Sequence, residues 1–218
     1  MRTFYRIAVR IMLPVLVLAG CAETSTDTRH EVVEPLPSQA RITEKLSEAP
    51  TEEPTTALVP PTKEELYPHP KPVIPEAAKA RTKEGAMAFA EYFVEVYAYA
   101  TATRDPQALM EVCTDAAGFC LTNVEFIEHN IESGTYKVGY FMYDLEATGA
   151  LEGGTTDRVE WGAQVIGYIA PYELQNVTSG ERAHMEESRF VAGVELAWLD
   201  GWKVEEAQAL PYEEVYDD

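Results

Sequence analysis

The sequence predicts an α+β protein in which about three helices precede an antiparallel sheet of about four strands. Three observations predict it. Apolar residues between 86 and 100 recur at helical spacing. Beyond Gly134 the apolar period shortens to two. Asp200-Gly201, set between two alternating runs, is a two-residue hairpin signal. All three lie within residues 81–210, which are long enough for one core. The residues before 81 have a different composition.

Residues 1–20 carry Arg2, Arg6 and Arg10 and no acid. The apolar stretch 11–19, IMLPVLVLA, is too short to span a hydrocarbon layer of about 30 Å. It fits the central region of a secretory leader. Leu18-Ala19-Gly20-Cys21 then resembles the bacterial lipobox, whose cysteine is diacylated before cleavage. That resemblance implies a signal peptide over 1–20 and makes Cys21 the lipidated first residue of the mature protein. Two acyl chains of the palmitate kind, at about 0.8 kcal/mol per buried CH₂, anchor stably where one does not. The expected location is extracytoplasmic, on the outer face of the cell membrane.

Residues 21–80 hold ten of the fourteen prolines, no glycine and one aromatic residue, Tyr67. A Pro/Thr/Glu-rich run of this kind buries too little apolar surface to offset its ordering entropy. It is expected to be a disordered, extended tether that holds the domain away from the membrane.

Thr82 is a helix N-cap with Glu84 in the first turn. Ala86, Phe89, Ala90, Phe93, Tyr97 and Ala100 form one face of a helix of about 20 residues. Asp105-Pro106 opens a short second helix that ends near Cys113. Thr122-Asn123-Val124-Glu125 is a capping-box pattern opening a third, and Gly134 sits where a terminating glycine belongs. Strands are expected over 136–147, 157–169, 188–199 and 202–209. The acidic residues 211–218 form a tail.

The closing Trp198-Leu199-Asp200-Gly201-Trp202-Lys203-Val204 resembles the last hairpin of the nuclear transport factor 2-like (SnoaL-like) superfamily. That resemblance implies a cone-like fold, with the helices packed on one curved sheet. More narrowly, the chain resembles an uncharacterised lipoprotein family of actinobacteria. The lipobox, the Pro/Thr-rich tether, Thr82–Ala86 with Phe89–Phe93, the Cys113/Cys120 pair and Leu196–Trp202 carry that resemblance. It brings no activity with it.

Cys113 and Cys120 remain once Cys21 is lipidated. No C-x-x-C and no Cys/His cluster is present, so a structural disulfide is the favoured reading for an exported chain. A two-residue turn at Asp200-Gly201 pairs Leu199 with Trp202 and sets Glu195 opposite Glu206. Opposed carboxylates need solvent, a proton or a cation to relieve them. They are read either as pocket-lining groups or as the wet end of the sheet. Phe89, Phe93, Tyr97, Trp202 and Val204 can converge between the long helix and the closing hairpin, as a pocket or as packed core.

The formal net charge is −20, from 17 basic and 37 acidic residues. No basic stripe offsets it, which excludes nucleic acid as an expected partner. There is no GxSxG, P-loop or GxGxxG, and no catalytic residue, metal or cofactor is assigned. The expectation is a non-enzymatic, membrane-anchored binding module for a small apolar ligand or an envelope protein. Two alternatives stay open: an isomerase or dehydratase on the same fold, and a structural domain associated with the wall.

Overall fold

The computed structural model describes residues 58–216. The expected leader 1–20 and the lipidation site Cys21 lie outside the described residues. The first element is a single turn, α1 (Lys63–Leu66), closed by a capping box between Thr62 and Glu65. Leu66 and Tyr67 are buried, and the Glu65 carbonyl accepts from the Gly139 N–H at 2.9 Å. The Tyr67 ring meets Tyr99 edge-on at 5.4 Å, and His69 meets Phe141 at 4.5 Å. A 3₁₀ turn, Glu76–Lys79, buries Ala78. Residues that composition assigned to the tether therefore belong to the folded part. Few apolar groups suffice here, because the proline-rich strap arrives already extended and its ordering entropy is small.

Helix α2 (Lys83–Thr103) starts at Thr82, whose hydroxyl accepts from the Gly85 N–H at 3.1 Å. Gly85 is required: a Cβ there would lie 2.0 Å from the Ala80 carbonyl oxygen. Arg104, in the left-handed region, ends the helix. Asp105 caps the short α3 (Pro106–Met110), with proline in its first turn. Helix α4 (Gly118–Ser133) begins four residues before the expected capping box and ends at Gly134, φ 71°.

The strands are β1 (Thr135–Val138), β2 (Met142–Glu152), β3 (Trp161–Ile169), β4 (Tyr172–Asn176), β5 (Arg182–Met185), β6 (Ser188–Trp198) and β7 (Trp202–Pro211). A last turn, α5 (Tyr212–Tyr216), follows, so the acidic tail begins at the end of β7 and is helical from Tyr212 to Tyr216. The strands make two antiparallel sheets, ordered β2-β3-β6-β7 and β1-β4-β5.

This corrects the expected architecture of three helices on one curved, cone-like sheet of four strands. The described residues hold seven antiparallel strands in two sheets, of three and four, with five α-helices of which only α2 and α4 are long. The physical reasons are local. The expected strand 136–147 breaks at Gly139, φ 76°, and its halves join different sheets. The polar connector 172–185 folds into the β4–β5 hairpin, and β5 is exposed along its whole length. A strand with no buried face carries no alternating signal.

One face of the larger sheet packs on α2. Ala163 and Val165 of β3, Phe190, Ala192, Val194 and Leu196 of β6, and Trp202 and Val204 of β7 are buried there with Phe89, Phe93 and Ala90. The Trp202 indole donates to the Ala80 carbonyl at 2.9 Å and meets Trp198 edge-on at 5.0 Å. This ties the closing hairpin to the start of α2.

Candidate functional site

The inner face of the sheet is not completely filled. A cavity of about 120 Å³ lies between α2, α4 and the far halves of β6 and β7. Phe93 and Tyr97 come from α2 because they sit one turn apart on its apolar face. Phe119 comes from the first turn of α4 and packs on both, with ring centroids 6.1 and 5.4 Å away. Tyr140, Met142, Phe190 and Ala192 complete the wall, and the exposed Gln208 and Ala209 mark the mouth. Burial raises the phenols of Tyr97 and Tyr140 above their ordinary range, and the two side chains meet. A void of this size accepts one aromatic ring or the end of a branched chain. Dry cavities of comparable volume bind benzene-sized molecules.

Beside this wall Lys137 of β1 stands among rings. Its Nζ lies 4.5 Å from the Tyr140 centroid, 5.4 Å from Phe126 and 5.8 Å from Tyr172. Burial lowers its ammonium group to about 8.

The residues singled out in the sequence divide into three groups. Phe93 and Tyr97 line the cavity. Phe89, Trp202 and Val204 are at most 3% exposed in the packed core and do not line it. Glu195 and Glu206 are paired across β6 and β7, as the hairpin arithmetic expected, but by another route. The turn is one residue longer, with Trp198 opposite Trp202, and a bulge at Glu205 restores the pairing. Both carboxylates have their own donors: Thr155 N–H and hydroxyl for Glu195, Gly118 and Phe119 N–H for Glu206. Cys113 and Cys120 lie at disulfide distance, with Cα atoms 6.5 Å apart.

Sequence reasoning missed Phe119, Tyr140 and Phe190 as cavity wall. Phe190 was legible as an inward strand position. Phe119 was not, because α4 was expected to begin after it.

The opposite face of the same sheet carries a second hollow, a trough of about 640 Å³. Its central row runs Gly149, Gln164, Gly193, Gln208 across β2, β3, β6 and β7. The next row includes Gly162 and Glu195. Thr148 and Tyr216 hydroxyls both donate to the Gln164 side-chain oxygen, at 2.9 and 3.1 Å.

A domain of two antiparallel sheets, with a small apolar cavity that opens beside Ala209, is thus what the described residues define. Residues 68–208 match a family of unknown function, DUF6318, and the chain belongs to that family. No curated protein matches it in sequence. Among solved structures it is similar to the intermembrane space region of the chloroplast protein ARC6. That likeness has a TM-score of 0.51 at 13% identity and covers 61% of this chain and 98% of the other. At that identity it bears on fold alone.

Proposed function

We propose that the protein is a lipid-anchored, extracytoplasmic binding module whose ligand inserts a small apolar group into the cavity between α2, α4 and the sheet. The single observation that carries the binding reading is that cavity. It is walled by Phe93, Tyr97, Phe119, Tyr140 and Phe190 and opens at Ala209. The lipobox sequence at Leu18–Cys21, the arginine-rich leader and the resemblance to an actinobacterial lipoprotein family support the anchoring.

Two measurements test the reading. The detergent-solubilised full chain is probed by saturation-transfer NMR with p-cresol and with indole. Saturable binding is expected, and Ala209→Phe at the exposed mouth is expected to abolish it while the melting temperature holds. No binding of either probe, or unchanged binding in the variant, overturns the ligand reading. Cys21→Ser is expected to move the protein from the detergent-rich to the aqueous phase. Unchanged partition overturns the anchor.

A further inference from the structure

The two sheets have four outer strands, and three of their outer edges are closed. On β7, the Val204 N–H donates to the Val112 carbonyl and the Val204 carbonyl accepts from the Thr114 N–H. On β2, two register shifts break the edge, and the Glu91 carboxylate takes the Ala147 N–H at 2.7 Å. β1 has α1 against it, and the Gly139 N–H just past its end donates to the Glu65 carbonyl. β5 pairs with β4 alone, and no element among the described residues pairs on its other edge. Residues 181–186, ERAHME, hold no proline, glycine or lysine, and β5 has no register shift, so none of the usual devices blunts this edge. β4 and β5 continue the β3–β6 hairpin in one register, with Ile169 opposite Ser188 and Tyr172 opposite Met185. β7 covers the outer side of β6 as far as Phe190, and the chain then turns into α5. The open edge is the uncovered remainder of that side.

We propose that β5 pairs antiparallel with β5 of a second copy of this chain, about a two-fold axis through His184. The main chain selects the residues. The Asn176 N–H donates to the carbonyl of Glu181, directly opposite, at 2.9 Å, so by alternation Ala183 and Met185 also turn their N–H and C=O groups to β4. Arg182 and His184 turn theirs outward, and Glu186, one residue past β5, continues the alternation. An axis at His184 makes these the hydrogen-bonded pairs: Arg182 with Glu186 of the second copy, and His184 with its own counterpart. Both faces then match. On one, Arg182, which has no ion-pair partner among the described residues, meets the exposed Glu186 twice. On the other, Ala183 falls opposite Met185 twice and covers a side chain that is 37% exposed in the single chain. An axis at Ala183 would instead set Arg182 against His184 and Glu181 against Met185, and one at Met185 would set Ala183 against Glu187. The net charge of −20 opposes association at long range, but salt screens it beyond about 8 Å, whereas these pairs are in contact. Pairing so short a strand gives a weak dimer that depends on concentration.

The test uses the full chain in density-matched detergent. Sedimentation equilibrium is expected to show a monomer–dimer equilibrium. Its dissociation constant is expected to rise at least tenfold in Arg182→Glu, which sets like charges opposite each other, and to recover when Glu186→Arg is added to that variant. Both residues are exposed, so the melting temperature is expected to hold in each. Disulfide trapping gives a second readout. His184→Cys places two sulfurs at the axis, where a Cα–Cα distance of about 5.5 Å suits a disulfide. It is expected to give a strong interchain band on a non-reducing gel, and Ser179→Cys, at the exposed hairpin tip, is not. A chain that stays monomeric, a dimer unmoved by Arg182→Glu, a charge swap that restores nothing, or equal bands from the two cysteine variants overturns the proposal.

Discussion

Glu206 of β7 accepts hydrogen bonds from the main-chain N–H groups of Phe119, at 2.9 Å, and Gly118, at 3.2 Å. It thereby supplies from a distant strand the cap that Ala117, the N-cap residue of α4, lacks. Glu206→Ala is expected to lower stability by about 1–2 kcal/mol in urea denaturation, since charge-assisted caps lie at the upper end of the range. Glu206→Gln, which keeps an accepting oxygen, is expected to lose less. An unchanged urea midpoint in Glu206→Ala would refute the role.

Lys137 gives the domain a stability that depends on pH. Its folded-state ammonium group is lowered to about 8 against an ordinary value of 10.5, and burial is the cause. Between those values the unfolded chain holds a proton that the folded chain has released, so this group's contribution to stability rises with pH. Below about 8 the fold carries a charged amine among Phe126, Tyr140 and Tyr172, and cation–π attraction offsets part of that cost. Lys137→Met is expected to be more stable than the parent by about 1–3 kcal/mol at pH 7. The gap is expected to narrow at pH 10. Tyrosine titration is common to both proteins, so paired denaturant curves at the two pH values isolate the lysine. A gap that does not change with pH contradicts the assignment.

The Cys113–Cys120 pair joins the end of the α3 region to the first turn of α4. The connector between them also runs beside β7, where Thr114 N–H donates to the Val204 carbonyl and Val204 N–H to the Val112 carbonyl. Closing so short a loop is worth about 2.5 kcal/mol in the chain-entropy model. Reduction, or the double Cys→Ser variant, is expected to cost about that much. Mass spectrometry of the unreduced protein is expected to show the linked peptides. Two alkylatable thiols in the native protein would exclude the bond.

Much of α2 and the end of α4 were legible because their signals are local. The Thr82 cap, the spacing Ala86–Phe89–Ala90–Phe93–Tyr97 and the stop at Gly134 each follow from residues within a turn or two of one another. Glu206 shows the opposite case. With a tertiary cap supplied from β7, α4 starts where its own sequence has no cap. The β4–β5 hairpin was hidden because β5 buries nothing, and α1 because prolines surround it. The Glu195–Glu206 pairing was reached through two departures that cancel, a longer turn and a bulge. Of the cavity, Phe93 and Tyr97 were readable from periodicity. The trough was not, because in one dimension a glycine reads as a turn, and only register brings Gly149, Gly162 and Gly193 together.

The strap from Thr62 to Ala80 also determines how the domain answers a pull. Tension entering from the N-terminal side meets α1, the Glu65–Gly139 hydrogen bond and the Tyr67–Tyr99 contact before it meets the sheets. These contacts lie in series and open one after another, as in peeling. The hydrogen bonds of β3 and β6 would have to shear together. The strap up to the Thr82 cap has a contour length on the order of 60 Å at about 3.3 Å per residue, and its release adds the part of that length that α1 and the 3₁₀ turn take up. The domain thus carries a short mechanical fuse, which lengthens under load while the cavity and the trough keep their shape.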